Sequence, residues 1–220
     1  MDKSKIFKSA KLYPILDFDF CNKQDISLTA LIRLWRKFPD CISFFQLRAK
    51  SLGLSEYRNI YTELKLMFPS SNIIINDFWE FALEVNSFGL HIGKEDYAYL
   101  SQVERDRLKS AKYILKGTSS HSLEDLQNLE LELWDYSGFG PIFPTLTKQT
   151  TNPILGVEIL QKAISLTKIP LVPIGGIGIE NFISLFGFGR ILPASISMMA
   201  NKKSLVKIVD FIRNHHEPVS

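Results

Sequence analysis

"CISFFQLR", Cys41–Arg48, and "NIIIND", Asn72–Asp77, are two short apolar runs that each end in polar residues. The segment between them, Ser55–Phe68, reads as a helix with Ser55 as its cap. A strand, a helix and a second strand in fewer than forty residues imply two parallel strands joined by a crossover. Working outward, the same unit repeats. Upstream, "LYPILDF" (Leu12–Phe18) is followed by "ISLTALIRLWRKF", whose Leu28, Leu31, Ile32, Leu34 and Trp35 form one helical face. Downstream, a short helix from Trp79 to Asn86 leads to "FGLHIG" and then "KYILKGTSS". "HSLEDLQNL" reads as a helix start, with Ser122 and Asp125 spaced as a capping pair. "LWDYSGFG", a helix over Ile154–Leu166, "IPLVPIGGI", "RILPASI" and a helix over Ser204–Arg213 complete the pattern.

Eight strand–helix alternations in 220 residues predict a small α/β chain, a (β/α)8 TIM barrel, rather than an open doubly wound sheet. No linker, repeat or low-complexity block divides residues 1–220, so one domain is expected, with residues 1–11 as a loose basic tail. Apolar residues make up 45% and charged residues 22%, an ordinary globular balance. The net charge of +3 is too small to argue for nucleic acid, and no stretch interleaves basic and aromatic residues. Cys21 and Cys41 lack zinc spacing and make no disulfide framework, so both are expected as reduced thiols in a cytoplasmic protein. No run approaches the ~18 apolar residues of a membrane span. The expected partners are therefore small molecules, neither nucleic acid nor membrane, with a homo-oligomer left open.

In barrels of this kind the working residues stand at the C-terminal ends of the strands. Those ends carry Gln46, Arg48 and Lys50; Asn76 and Asp77; His91, Gly93 and Asp96; Thr118, Ser119 and Ser120; Gly175 and Gly176; and Ala194 and Ser195. The sixth run enters "GFGPIFPTLTKQT", Gly138–Thr150, a loop with two prolines that sets Thr145, Thr147 and Lys148 close together. Each feature taken singly has a structural reading: a solvated strand end for "QLRAK", a helix cap at Asn76 or Asp77, a structural histidine at His91, a helix start at His121. Gathered at one mouth, they suit a polyphosphate. Arg48, Lys50 and Lys148 supply cations, Asp77 and Asp96 would hold Mg²⁺, and "IGGI" suits a second, single phosphate.

The pieces "QLRAK", "IIIND", "GLHIGKEDY", "GTSSHSLED", "WDYSGFGPIFPTLTK" and "IPLVPIGGI" together resemble the thiamine-phosphate synthase family, in family order and across about Leu12–Ser197. The resemblance implies a transferase of thiamine biosynthesis. A hydroxymethylpyrimidine diphosphate loses pyrophosphate, and a thiazole phosphate attacks the resulting methylene through its ring nitrogen. It also implies roles. Gln46 contacts the pyrimidine. Arg48, Lys50, Asn76, Ser119 and Lys148 surround the diphosphate, with Lys148, Arg48 and Lys50 acting in catalysis. Asp77 and Asp96 bind Mg²⁺. Thr145, Thr147 and Gly176 meet the thiazole phosphate, and Pro193-Ala194 stands where the family has a Val/Ile-Ser pair whose backbone grips it. Pro193 has no N–H to donate, and Phe78 replaces an Arg usual after Asn-Asp. Two other readings remain: a thiazole tautomerase using His121, and a catalytically silent barrel that binds thiamine precursors.

Overall fold

Parallel strands pair in the order β7-β6-β5-β4-β3-β2-β1-β8 in the computed structural model, which describes residues 3, 6, 7, 10–145 and 152–215. The strands are β1 Tyr13–Asp17, β2 Phe45–Arg48, β3 Ile73–Asn76, β4 Gly89–His91, β5 Leu115–Ser120, β6 Tyr136–Phe139, β7 Leu171–Pro173 and β8 Ala194–Ser195. The ring closes between β7 and the approach to β8. Leu171 and Ile191 form a parallel bridge, and the Leu192 amide donates to Leu171 O at 2.9 Å. The (β/α)8 barrel expected from the alternation is the observed fold.

The helices are α1 Phe18–Lys23, α2 Leu28–Trp35, α3 Leu54–Met67, α4 Trp79–Glu84, α5 Lys94–Ala98, α6 Gln102–Ser110, α7 Leu123–Gln127, α8 Gly156–Leu166, α9 Ser197–Ala200 and α10 Lys202–His215. Among the described residues a 3₁₀ turn, Phe182–Leu185, follows β7 where the other units carry α-helix. Ser122 caps α7 as its spacing predicts, accepting from the Asp125 amide at 3.0 Å. The cap of α3 is Gly53 rather than Ser55, and the Glu56 carboxylate accepts from the Gly53 amide at 3.2 Å. The Trp35 indole donates to Met199 O at 2.8 Å, tying α2 to α9.

Side chains alternate along each strand, so the strands serve two cores. Leu12, Leu16, Leu47, Ile73, Ile75 and Leu90 face outward and pack under the helices. Tyr13, Ile15, Ile74, Leu115, Tyr136, Val172 and Ala194 face inward and fill the barrel. Phe44 and Phe88, each just before a strand, close its lower end. Of the tail expected to be loose, the described residues make contacts. Phe7 meets the Phe44 and Tyr136 rings at 6.4 and 5.5 Å, and Lys3 pairs with Asp135 at 2.8 Å. With its bottom plugged by aromatic rings, the barrel is open to ligand at the C-terminal mouth.

Candidate active site

The charged wall of the mouth is built by β1 to β4. Register sets Asp17, the last residue of β1, beside Arg48, the last residue of β2. Asp17 is buried, caps α1 by accepting from the Phe20 amide at 2.8 Å, and forms an ion pair with Arg48. That pair aims the guanidinium into the mouth and satisfies a carboxylate that burial would otherwise penalise. Lys50 lies two residues further on, where the Asp19 carboxylate accepts from the amides of Lys50 and Ser51 at 3.0 and 3.3 Å. Its ammonium pairs with Asp77 and lies 3.6 Å from Asp96. Asp77 has φ +65, a left-handed conformation that Asp tolerates better than most residues. The turn is held by the Asp77 amide, which donates to His91 O at 2.8 Å, and the Asn76 side-chain amide donates to the Asp77 carboxylate at 2.6 Å.

The floor is a hydrogen-bonded row. The Gln46 Nε2 donates to the Tyr13 hydroxyl at 3.2 Å, and the Tyr13 and Tyr136 hydroxyls lie 2.7 Å apart. Tyr136 Oη lies 3.2 Å from His91 Nδ1, and His91 Nε2 lies 3.1 Å from Ser119 Oγ. Burial pushes both phenols above the usual Tyr range, so they are neutral. A Cβ on Gly117 would collide with the Tyr136 ring, so that glycine makes room for the row. At its edge, His121 Nδ1 donates to Gly140 O at 2.7 Å, and the His121 amide donates to Asp125 at 2.6 Å. Burial raises the Asp125 pKa, but the Lys94 ammonium at 2.6 Å and the His121 amide outweigh it and leave the carboxyl below its ordinary value.

The third wall is backbone. Gly175 and Gly176 have φ +96 and +64. A Cβ on Gly175 would lie 2.6 Å from Pro141 Cβ, and one on Gly176 would strike the Pro144 and Phe143 carbonyls. Ile142 and Phe143 donate their amides to Ile174 O and Gly175 O at 2.9 and 3.0 Å. These glycines therefore let the loop after β6 lie against the loop after β7. Asn181 fastens the turn from within: its Nδ2 donates to Gly176 O at 2.9 Å and its Oδ1 accepts from the Gly178 amide at 2.9 Å.

These walls enclose a cavity of about 250 Å³. Ten of the expected site residues line it: Gln46, Arg48, Lys50, Asn76, Asp77, Asp96, Ser119, Thr145, Gly176 and Ala194. Thr147 and Lys148 lie outside the described residues. Of the pair Pro193-Ala194, Ala194 lines the cavity and Pro193 does not. The Pro193 carbonyl accepts from the Tyr13 amide at 3.0 Å, pairing β1 with β8 one residue below Ala194. Ile196 and Ser197 also line the mouth. Sequence reading also missed Asp17, Asn181, Glu95 in the cavity wall and the Tyr13–Tyr136 pair.

Among the described residues no group of three or more His, Cys, Asp or Glu forms a closed metal cage. Asp77 and Asp96 do converge on one cation, the Lys50 ammonium. Two carboxylates at an open mouth fit Mg²⁺, which completes its shell with water and phosphate oxygens.

Fold and mouth together define a barrel enzyme acting on small molecules. The family described as thiamine monophosphate synthase matches residues 12–198. A thiamine-phosphate synthase of Koribacter versatilis is 32% identical over 184 residues, 83% of this chain and 85% of its own. One from Bacillus cereus is 32% identical over 198 residues, 86% and 84% of the two chains. Among solved structures, a thiamine phosphate pyrophosphorylase from Pyrococcus furiosus superposes with a TM-score of 0.72 at 26% identity, covering 94% of this chain and 98% of that one. A 3-hexulose-6-phosphate synthase, at 12% identity and a TM-score of 0.61 over 93% and 98% of the chains, shares the fold alone. The chain belongs to the thiamine monophosphate synthase family, and its activity is a transferase reaction, the synthesis of thiamine phosphate.

Proposed function

We propose that the charged wall binds the diphosphate of 4-amino-5-hydroxymethyl-2-methylpyrimidine and the backbone wall binds the thiazole phosphate. The observation that carries this reading is the division of one cavity. Arg48, Lys50, Asn76 and Asp77 stand on one side, and Thr145, Gly176 and the Ile196-Ser197 pair on the other. Gln46 meets the pyrimidine. With one N–H committed to Tyr13, its amide still offers one donor and one acceptor, which complement a 4-aminopyrimidine edge.

The C–O bond to the diphosphate breaks with its electron pair leaving on oxygen. The amino group stabilises the positive charge on the remaining methylene, and the thiazole nitrogen then donates its lone pair to that carbon. No side-chain nucleophile is needed. Arg48, Ser119 and, from its place in the family motif, Lys148 stabilise the negative charge on the departing diphosphate, while the two walls hold carbon and nitrogen in line. Asp77 and Asp96 would hold Mg²⁺, whose contribution when bound is to neutralise diphosphate charge. Lys50, which lies between those carboxylates, would then turn to a phosphate oxygen. The protein would work in the cytoplasm; no helix among the described residues is long and apolar enough to cross a membrane.

A thiazole tautomerase would not need the charged wall. The His121 Nδ1 bonded to Gly140 O also gives that ring a structural task. A crystal structure with thiazole phosphate, pyrophosphate and Mg²⁺ tests the assignment. Pyrophosphate against Arg48 and Asn76, with thiazole phosphate against Gly176 and Ser197, is expected. The two ligands in exchanged positions would refute it.

A further inference from the structure

The row from Gln46 to Ser119 crosses the barrel and joins the two ends of one substrate. Five side chains from five strands, β1, β2, β4, β5 and β6, take part, and Tyr13 and Tyr136 are separated by 123 residues. Each hydroxyl has one proton to give, so the row has a direction. Gln46 Nε2 can only donate, and it donates to Tyr13. The Tyr13 proton then goes to Tyr136, the partner at 2.7 Å, and the Tyr136 proton goes to His91 Nδ1. An Nδ1 that accepts requires the proton on Nε2, which donates to Ser119 Oγ. Ser119 has then accepted from below, and its own proton is directed into the cavity that it lines. The reverse direction fails at the far end. Tyr13 would have to donate toward the Gln46 N–H, leaving a buried hydroxyl proton without an acceptor, which protein interiors avoid.

We infer that Tyr13, Tyr136 and His91 are positioning residues that polarise Ser119 as a hydrogen-bond donor to the leaving diphosphate, with the direction set by the Gln46 amide. The burial of both phenols keeps them protonated, so the direction persists across the working pH range. His91 is thereby a neutral Nε2–H ring and not a proton acceptor from substrate. Its Nδ1 lone pair is taken by Tyr136. The inference rests on the diphosphate lying at Ser119. It adds that the pyrimidine end and the diphosphate end are tied by the same row, so a contact at Gln46 is felt at the leaving group.

Two experiments test it, one independent of turnover. In enzyme labelled with ¹⁵N-histidine, the ring resonances of His91, assigned by their loss in His91→Asn, should show a protonated Nε2 and a bare Nδ1 between pH 7 and 8. Tyr136→Phe should remove that preference. A protonated Nδ1, or an imidazolium, in the parent protein overturns the inference whatever the enzyme's activity. The kinetic arm is a double-mutant cycle between Tyr136→Phe and Ser119→Ala. Each alone should lower kcat about 10- to 100-fold, the effect of one charge-assisted hydrogen bond, with KM for the thiazole phosphate unchanged. In the Ser119→Ala background, Tyr136→Phe should cost less than about threefold more. The same factor in both backgrounds would show that Tyr136 acts through packing and not through Ser119. Should Tyr136→Phe fold poorly, Tyr13→Phe enters the same cycle with the same criterion.

Discussion

Lys50 is the residue on which the charge balance of the mouth turns. Its ammonium sits with Asp77 and 3.6 Å from Asp96, where Mg²⁺ is proposed to bind. Asp77→Asn is therefore informative: Asn tolerates φ +65 as Asp does, so the turn survives while one charge is lost. We expect kcat to fall about 100-fold or more, the scale of an electrostatic contact to a leaving group. The Mg²⁺ concentration for half-maximal rate should rise with it. A titration with unchanged Mg²⁺ dependence would remove Asp77 from the metal site. His121 lines the cavity but spends Nδ1 on Gly140 O. His121→Ala should slow synthesis by less than about 100-fold; a greater loss is the mark of general acid–base chemistry and would restore that role. At this scale the sequence was legible where polar residues interrupt apolar runs, as at Arg48 and Asp77. It was silent on Tyr136, whose hydroxyl partners come from other strands and leave no local pattern.

The elements divide the labour of the site. Among the described residues, β1 to β4 and the turns after them carry the charged side chains, whereas the loops after β6 and β7 contribute mainly backbone, interlocked because Gly175 and Gly176 have no Cβ to obstruct Pro141, Phe143 and Pro144. Asn181 closes the turn after β7. Asn181→Ala should raise KM for the thiazole phosphate about tenfold, matching the loss of roughly 1.4 kcal/mol of positioning. KM for the pyrimidine diphosphate should stay within a factor of two. Equal rises in both would show a general loss of structure. Helix α3 and the α7 cap were readable because apolar spacing and Ser122 mark them. Helix α6 was not, since its sequence QVERDRLKS buries Leu108 alone and has no apolar face to detect. Its sign was the Ser101–Glu104 capping pair, with the Ser101 amide donating to Glu104 at 2.7 Å. β8 spans two residues, and its register comes from pairing with β1 rather than from its own pattern.

At the scale of the molecule, Lys116 is a cost that the fold carries. It lies on β5, 2% exposed, with its ammonium donating to Leu108 O at 2.8 Å, and burial lowers its pKa to about 8. Between pH 8 and the ordinary lysine value of 10.5 the unfolded chain holds more protons than the folded one, so stability from this group rises with pH. Below pH 8 both states are protonated and the cost is complete. Lys116→Met should remove this dependence. The stability of the parent protein relative to the variant should improve by about 2 kcal/mol from pH 7 to pH 10, measured by urea unfolding. A parallel pH profile for the two proteins would mean that Lys116 ionises freely.

The eight-fold alternation made the barrel readable because every unit buries its strand on both faces. The union of the mouth's two walls emerges when strands far apart in sequence close into a ring. This mouth is proposed to join a pyrimidine methylene to a thiazole nitrogen as diphosphate leaves. That reaction is tested most directly by ³¹P NMR of one reaction containing both substrates, with Mg²⁺ or with EDTA. Pyrophosphate and thiamine phosphate should appear in equal amounts with Mg²⁺, and neither with EDTA. Equal rates in EDTA, or pyrophosphate released without thiamine phosphate, would contradict it.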